Sequence, residues 1–306
     1  MAVISEALVN QYKANIELLW QQEGSKLMGA VRNETQAAEY FFFDQLAKFD
    51  LDDYTEDPAR NSATVITAAD HQRRRVALAD ISFATMIDKF DAIRMLADPN
   101  SVYVKNTVNF FGRIKDQKIL SCAGGSAYTG HAGGTTQTFD ANMSIPASGT
   151  AGVDTNGAYT GSTTTMNLDK LRGAKYLLDK NDVSSADRYI VCNPKVIWDL
   201  LGDSTLTSID YNNVKALVDG QVNQFMGFTF ITVADELLPV ASGTALYTTY
   251  FWNKESMLLS LGQDLAGLTV RVDELPQNRY STQIFCQMGI GCTRMEESGV
   301  GRIYST

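Results

Sequence analysis

The chain has 306 residues, of which 44% are hydrophobic and 20% are charged, a globular composition that can bury a substantial core in one large or two modest domains. With 26 basic against 35 acidic residues, the net charge of -9 argues against a protein held mainly by nucleic acid, although a locally basic face is compatible with that average. No apolar run has the length of a membrane span and the N-terminal residues lack a signal-peptide pattern, so we expect a protein made and used in the cytoplasm or an equivalent compartment.

Apolar residues near the N-terminus recur at helical spacing and predict a helix over residues 4–22. They are Ile4, Leu8, Tyr12, Ile16 and Leu19. Such a helix needs a surface that covers its apolar stripe. Two interpretations are open from the residues alone: the helix packs on its own domain, or it is an arm beneath a neighbouring subunit.

A run of four consecutive aromatic residues precedes an acidic, turn-prone stretch at residues 50–64. The run is Tyr40, Phe41, Phe42 and Phe43. The acidic stretch lacks the glycine that a calcium loop of the EF-hand type requires at its sixth position, so we predict a solvated loop and no metal site. Residues 65–67 and 75–78 are predicted as the two sides of an extended hairpin around this loop.

Three adjacent arginines, Arg73, Arg74 and Arg75, accompany the second side of that hairpin. Successive side chains of a strand point to opposite faces, so the three guanidinium groups cannot all face one way. We therefore expect them to bind several acidic or carbonyl partners rather than a single phosphate. A solvated run of charge is the alternative.

Asp98 and Pro99 predict the start of a helix that extends to about residue 120, roughly 33 Å at about 1.5 Å per residue. The predicted apolar face consists of Val104, Thr107, Val108, Phe111 and Ile114. Gly112 inside the helix costs about 1 kcal/mol relative to alanine, which indicates a close approach or a bend there. Residues 123–165 are rich in Gly, Ser, Thr and Ala, and we predict irregular hairpins with strands at 135–139 and 143–145.

The stretch from residue 167 to 233 has the most regular pattern. Asn167 predicts the cap of a helix whose apolar positions are Leu168, Leu171, Ala174 and Leu178. A strand is predicted at residues 188–192, followed by a helix with Asn193 as N-cap and Pro194 at its first position. A third helix at 210–218 and a strand at 228–233 follow.

The last third of the chain predicts five strands separated by turns, a pattern suited to antiparallel pairing. They cover residues 245–252, 257–261, 268–272, 280–290 and 299–304.

No pattern of a catalytic or cofactor site is present in the sequence. The only histidines are His71 and His131, and neither G-x-S-x-G nor a phosphate-binding glycine motif occurs. The four cysteines have neither zinc-ribbon spacing nor the density of a disulfide scaffold, so we predict reduced, mostly buried thiols. We predict that the chain is not an enzyme and has no cofactor.

This order of elements, with its particular residues, resembles the tailed-phage major capsid proteins, which share the HK97-like capsid fold. The likeness is most specific at residues 71–99 and 167–230. In the first range, HQRRR is followed by IDKFDAIR. In the second, DKLRGAKYLL and DRYIVCNPKVIWDLL are followed by GQVNQFMGF.

The resemblance implies an α+β, HK97-like capsid fold with five parts. These are an N-terminal arm (1–35), an extended E-loop hairpin (36–85), a peripheral domain with a long spine helix (86–125), an axial domain with preceding hairpins (126–262), and strands that return to the peripheral domain (263–306). The implied function is that of a major capsid protein of a tailed double-stranded DNA phage. Such proteins self-assemble as hexamers and pentamers into an icosahedral shell that encloses the genome. The expected inter-subunit contacts are Tyr40, Phe41, Phe42, Phe43, Arg73, Arg74 and Arg75.

The resemblance also implies partners: a portal protein, in some relatives a decoration protein, and packaged DNA contacted non-specifically. Since Met1 is followed almost at once by the predicted arm helix, we expect the scaffolding protein to be a separate chain. The expected location is the virion, after assembly in the host cytoplasm. Two alternatives remain: an encapsulin-like nanocompartment shell of the same fold, and an unrecognised soluble α/β enzyme.

Overall fold

The computed structural model describes residues 21–49, 66–87, 100–147, 152–153, 159–160, 165–202, 224–238, 246–263 and 269–306. Several sequence-based predictions lie outside these residues. They are nearly all of the N-terminal helix, the acidic loop, the segment after residue 87, the proposed cap at Asp98 and the helix at 210–218.

The first layer of the fold is a long helix, α1 (Asn100–Gly124), packed on a five-stranded sheet. The sheet contains the strands β1 (Arg32–Gln36), β4 (Ala79–Ile87), β14 (Met257–Gly262), β15 (Thr269–Leu275) and β16 (Ser281–Arg294). Strand β16 is central, because β4, β14 and β15 all pair with it in antiparallel register. Its alternate residues Ile284, Cys286, Met288 and Ile290 are buried in the same core as Phe111 of α1.

The observed long helix confirms the predicted helix and corrects its buried face. Thr107 and Phe111 are buried, but Val108 is 42% exposed. The buried face includes Asp116 instead, whose carboxylate accepts hydrogen bonds from the side chains of Gln22 and Ser25, both at 2.5 Å. It also accepts from the backbone N–H groups of Lys26 at 3.0 Å and Leu27 at 3.1 Å. Four donors to one buried carboxylate fix the chain near residues 22–27 against the helix.

A second sheet has the strand order β11, β12, β10, β13, β17, β7. The strands are β7 (Ser144–Ile145), β10 (Arg188–Cys192), β11 (Gln224–Phe225), β12 (Phe228–Thr232), β13 (Tyr247–Asn253) and β17 (Val300–Ser305). The helices α2 (Leu168–Lys180) and α3 (Pro194–Gly202) share a hydrophobic core with this sheet. Strands β10 and β12 are parallel, whereas β13 is antiparallel to both of its neighbours, β10 and β17.

The predicted beginnings of the two helices are confirmed, with one difference in capping. Asn167 accepts a hydrogen bond from the Lys170 N–H at 3.1 Å, as its type and position predict. Helix α3 begins at Pro194, but the side chain of Asn193 does not cap it. The amide of Asn193 donates to the Leu238 carbonyl at 3.2 Å, and only its backbone carbonyl accepts from Val196, at 3.1 Å.

A third sheet of four strands contains the hairpin, with the order β2, β3, β5, β6. The strands are β2 (Tyr40–Leu46), β3 (His71–Ala77), β5 (Ala127–Thr129) and β6 (Thr135–Gln137). The predicted second side of the hairpin overlaps β3, but the predicted first side was wrong. The aromatic run itself forms that side, because Tyr40 to Leu46 pair with Ala77 to His71. A small two-stranded sheet, β8 (Gly152–Val153) with β9 (Tyr159–Thr160), also lies in the region predicted as irregular hairpins.

All five strands predicted after residue 245 are observed, and they pair with one another in antiparallel register as expected. In addition, β14 pairs in parallel with β1, and β17 pairs in parallel with β7. Their distribution differs from the proposed grouping of residues 126–262 and 263–306. Strand β14 belongs to the first sheet, beside β16, whereas β17 pairs with β13 in the second sheet. The chain therefore crosses from the second sheet to the first and back within its last sixty residues.

Lys170 of α2 is fully buried within the second core. Its Nζ donates to the backbone carbonyls of Tyr304 at 2.9 Å and Ala147 at 3.1 Å, which joins α2 to the end of the chain. Burial lowers the pKa of this ammonium group to about 8, and the Asp199 carboxylate only partly opposes the effect.

The buried ammonium predicts a pH dependence of stability. The folded pKa of about 8 lies below the ordinary 10.5, so between these values the unfolded chain binds more protons. Stability should therefore rise with pH across that window, by up to about 3 kcal/mol. Urea unfolding of the native chain and of Lys170→Met at pH 7.5 to 10.5 tests this: the free energy of unfolding of the native chain, relative to that of the variant, should rise with pH. A difference that stays constant with pH would contradict the expectation.

Gly112 provides a second test, in which helix propensity and packing predict opposite effects of an alanine on the free energy of unfolding. A Cβ at this position would lie 2.4 Å from the backbone carbonyl carbon of Gly24. A backbone atom cannot move away from this contact as the end of a flexible side chain could. We expect Gly112→Ala to destabilise the fold by about 1–3 kcal/mol, although alanine is the better helix former. Gly29→Ala is the control, since its added Cβ meets nothing within 4 Å. A stabilised Gly112→Ala chain in urea unfolding would refute the close contact.

Candidate subunit interface

One face of the hairpin sheet carries aromatic rings alternating with charged groups. Because strand residues alternate between faces, Tyr40, Phe42 and Asp44 of β2 lie on one side of the hairpin. Arg75 and Arg73 of β3, which pair with Phe42 and Asp44, lie on the same side. We call these five residues, together with Tyr128 of β5, the aromatic face. Tyr40, Phe42 and Tyr128 are 45%, 38% and 42% exposed, respectively.

The two arginines of the aromatic face are held by rings and by one carboxylate. The guanidinium of Arg75 lies 5.1 Å from the ring centre of Tyr40 and 4.7 Å from that of Tyr128. Arg73 lies 5.6 Å from the Phe42 ring, and its Nε is 2.5 Å from Asp44 Oδ1. The hydrogen bond from Arg73 lowers the pKa of Asp44. These contacts order the long arginine side chains within the chain itself.

Gly133 permits the packing of the aromatic face. Its φ of +63° favours glycine, and a Cβ there would lie 2.6 Å from Arg75 Cδ and 3.0 Å from the Phe42 ring. The glycine-rich loop between β5 and β6 therefore supports the face from one side.

The opposite side of the hairpin packs on the body of the protein. Val76 is buried with Leu258 and Met295, and Phe43 packs against this cluster. Phe41 lies edge-on to Phe43 at 4.7 Å between ring centres and is still 41% exposed.

Arg74 belongs to the packed side and is only 4% exposed. Its Nη1 lies 3.4 Å from Glu297 Oε1, and desolvation is the main cause that lowers its pKa. The other oxygen of Glu297 accepts from Nε of Arg294, at 2.7 Å. One carboxylate thus joins an arginine of the hairpin to an arginine at the end of β16.

Arg294 is fully buried and connects the end of α1 to the hairpin sheet. Its Nη1 donates to the carbonyls of Cys122 at 2.9 Å and Ala123 at 3.3 Å, and also to that of Gly125. Its Nη2 donates to Gln137 of β6 at 3.5 Å. Carbonyl groups at the C-terminus of a helix lack partners within the helix, and a cation there also stabilises the helix dipole.

The predicted contact residues therefore divide into two groups. Tyr40, Phe41, Phe42, Arg73 and Arg75 have exposed or half-exposed side chains, whereas Arg74 and much of Phe43 are used within the chain. Arg73 and Arg74 bind acidic or carbonyl partners as predicted, whereas Arg75 lies against the rings of Tyr40 and Tyr128. No local pattern in the sequence indicates Tyr128, which joins the face only through the pairing of β5 with β3.

The described residues contain no group of three or more His, Cys, Asp or Glu placed to hold a metal ion. The four cysteines are free thiols, and burial raises the pKa of Cys192 to about 12, far from the range of a reactive thiolate. No helix in the described part of the chain is long and apolar enough to cross a membrane.

Comparison with known families identifies the class of protein. The model of the family described as phage capsid protein matches residues 4–306, so the chain belongs to that family. It is a major capsid protein. No curated protein sequence matches the chain.

Solved phage capsids have the same fold. The capsid of cyanophage Pam1 has a TM-score of 0.71 at 11% identity, covering 98% of this chain and 97% of that one. The capsid of cyanophage P-SCSP1u has a TM-score of 0.70 at 14% identity, with 98% and 94% covered. The acid-stable capsid of Helicobacter pylori bacteriophage KHP30 has a TM-score of 0.68 at 11% identity, with 98% and 96% covered.

The buried arginine yields a third test. Arg294→Met keeps an apolar stem but removes the donor to Glu297 Oε2 and to several carbonyls, so we expect a loss of about 3–5 kcal/mol in the free energy of unfolding. Arg172→Met, which removes an exposed arginine 3.3 Å from Asp169, should change stability by less than about 0.5 kcal/mol. Urea unfolding measures both, and similar values for the two variants would contradict the role of Arg294.

Proposed function

We propose that copies of this chain assemble as hexamers and pentamers into the icosahedral shell of a tailed double-stranded DNA phage, with the aromatic face as an inter-subunit contact. The supporting observation is the combination of exposed Tyr, Phe and Arg side chains on one strand pair. These residue types are enriched where proteins bind each other, and rings already ordered by cation–π contacts lose little entropy on binding.

The edge of the hairpin sheet supports the same proposal. Strand β2 ends the sheet, so one edge of its seven residues has no partner strand among the described residues. Exposed, partly apolar edge strands promote aggregation unless another surface covers them. A neighbouring subunit in a closed ring would cover this edge and the aromatic rings together. Closed rings also prevent the open-ended association that a head-to-tail contact otherwise produces.

The acidic net charge of -9 suits a container for DNA. A negative lumen repels the genome rather than binding it, so contacts with the DNA would be non-specific and the DNA would be driven in by a motor. The partners in this proposal are a separate scaffolding protein, a portal protein and, in some shells, a decoration protein. Assembly would occur in the host cytoplasm. The division into arm, E-loop, peripheral and axial parts is likewise proposed from the resemblance.

Of the alternatives, the family match favours a phage shell over an encapsulin-like nanocompartment. Membership of a structural protein family also gives no reason to propose an enzymatic activity.

The test compares assembly of the native chain with that of a double variant, Tyr40→Ser with Phe42→Ser. Size-exclusion chromatography and electron microscopy are used, with and without the scaffolding protein. We expect shells or free capsomers from the native chain, and at least about thirtyfold weaker assembly of the variant at unchanged secondary structure, as for loss of an interface hot spot.

The control is Tyr176→Ser on α2, which removes a comparably exposed ring (38%) far from the hairpin in sequence. Equal assembly of the double variant and the control would show that the aromatic face is not a contact. A native chain that stays monomeric under both conditions would refute the shell itself.

A further inference from the structure

Strand β15 (Thr269–Leu275) lies at one edge of the first sheet. It pairs with β16 on one side, and no strand of the described residues pairs with its other side. Residues 271–274 are all exposed, and Val272 among them is 46% exposed. An exposed strand with unpaired backbone groups and an apolar side chain is a template for pairing with another chain. This edge can therefore accept a further strand.

Two charged residues of β15 lack a charged partner in the strand beside them. Arg271 and Asp273 are alternate residues of the strand, so they lie on the same face of the sheet. Their cross-strand partners in β16 are Phe285 and Gln283, neither of which carries a charge. Neither Arg271 nor Asp273 forms an ion pair with a described residue. The edge thus presents one positive and one negative group, two positions apart, for a partner outside the chain.

The order of the side chains makes β15 complementary to a second copy of itself. If two copies pair in antiparallel register centred on Val272, Arg271 of each copy lies directly opposite Asp273 of the other. The two Val272 side chains then meet on the other face, because Val272 pairs with Ile284 of the core that also contains α1 residues. Opposite charges and apolar side chains that face each other directly stabilise a strand pair.

The same charges disfavour the neighbouring registers. A shift of two residues in one direction places Arg271 opposite Arg271, and the same shift in the other direction places Asp273 opposite Asp273. Like charges directly opposite each other destabilise a strand pair. A shift of one residue would join the helix-packed face of one sheet to the outer face of the other. The side chains therefore favour the register centred on Val272.

We propose that the free edge of β15 binds the β15 edge of a second copy, in antiparallel register centred on Val272. This contact is isologous, because each copy uses the same surface, and it differs in that respect from a head-to-tail contact within a closed ring. In the proposed shell it joins one capsomer to the next, and this placement rests on the proposed function. A pair of seven-residue strands is a small interface, so it binds weakly alone and gains strength from repetition in a shell.

Disulfide trapping tests the register. In the proposed pair the two Val272 Cα atoms lie about 4.5–5.5 Å apart, a separation that a disulfide can bridge. Val272→Cys should therefore give a covalent dimer when oxidised glutathione accepts the two electrons, as seen by non-reducing electrophoresis. Glu274→Cys is the control on the same strand: its two thiols would lie about 13 Å apart along the strands, and it should give at least about tenfold less dimer. The native chain measures any contribution of its own four thiols.

Exchange of the charges tests the complementarity. In the Val272→Cys chain, Arg271→Glu places acids opposite each other and should lower the yield of dimer at least about fivefold. Adding Asp273→Arg restores opposite charges in exchanged positions and should recover the dimer. Lys175→Glu, an equal change of charge at an exposed residue of α2, is the matched control and should leave the yield unchanged. The charge variants without the added cysteine should dimerise in the same order in sedimentation velocity.

Equal trapping at positions 272 and 274 would overturn the proposal, as would a charge-exchanged chain that dimerises no better than Arg271→Glu. Trapping is repeated in the double variant Tyr40→Ser with Phe42→Ser, which weakens the aromatic contact. A Cys-linked dimer in that background supports the β15 contact even where no shell forms, so the contact and the proposed function are tested separately. Shells in which Val272→Cys gives no dimer refute the β15 contact alone.

Discussion

The buried guanidinium of Arg294 is the interaction on which the arrangement of the described elements depends. It binds backbone carbonyls at the end of α1, the carbonyl of Gln137 in β6 and the carboxylate of Glu297. The same carboxylate binds Arg74 of the hairpin. A charge without access to water must be fully paired, so this group specifies how the long helix, the first sheet and the hairpin sheet meet.

Fixing the packed side of the hairpin also determines what the other side exposes. Once Arg74 and Val76 face the body of the protein, strand alternation leaves Arg73, Arg75, Tyr40 and Phe42 on the opposite face. A shift of one residue in register would bury the latter set and expose the former. The proposed subunit contact and the structural core of the hairpin are thus two consequences of one register.

The sequence predicted local structure well where the signal lies in neighbouring residues. The cap at Asn167, the proline start of α3 and the strand at 188–192 all depend on contacts within a few positions, and all are observed. The predictions that were wrong involve distant partners. Val108 looked apolar enough to be buried, but Asp116 takes the buried face because residues 22–27 supply four donors to it. The first side of the hairpin was misplaced because pairing between β2 and β3 spans a long connection.

The candidate interface also combines features that the sequence predicts with features that depend on residues far apart in the chain. The run of aromatic residues and the three arginines are visible in the sequence. The resemblance of residues 71–99 and 167–230 to capsid proteins indicated the fold and function that the family match supports. The sequence alone thus determined the class of protein, through its resemblance to a known family, and it determined the helices and most of the strands of the described residues, since these follow from local composition and periodicity. Only the tertiary structure decided which arginine is buried, that Tyr128 and His131 join the hairpin, and that the last strand returns to the second sheet. Those outcomes depend on strand pairing between residues far apart in the chain, and local sequence carries almost no information about it.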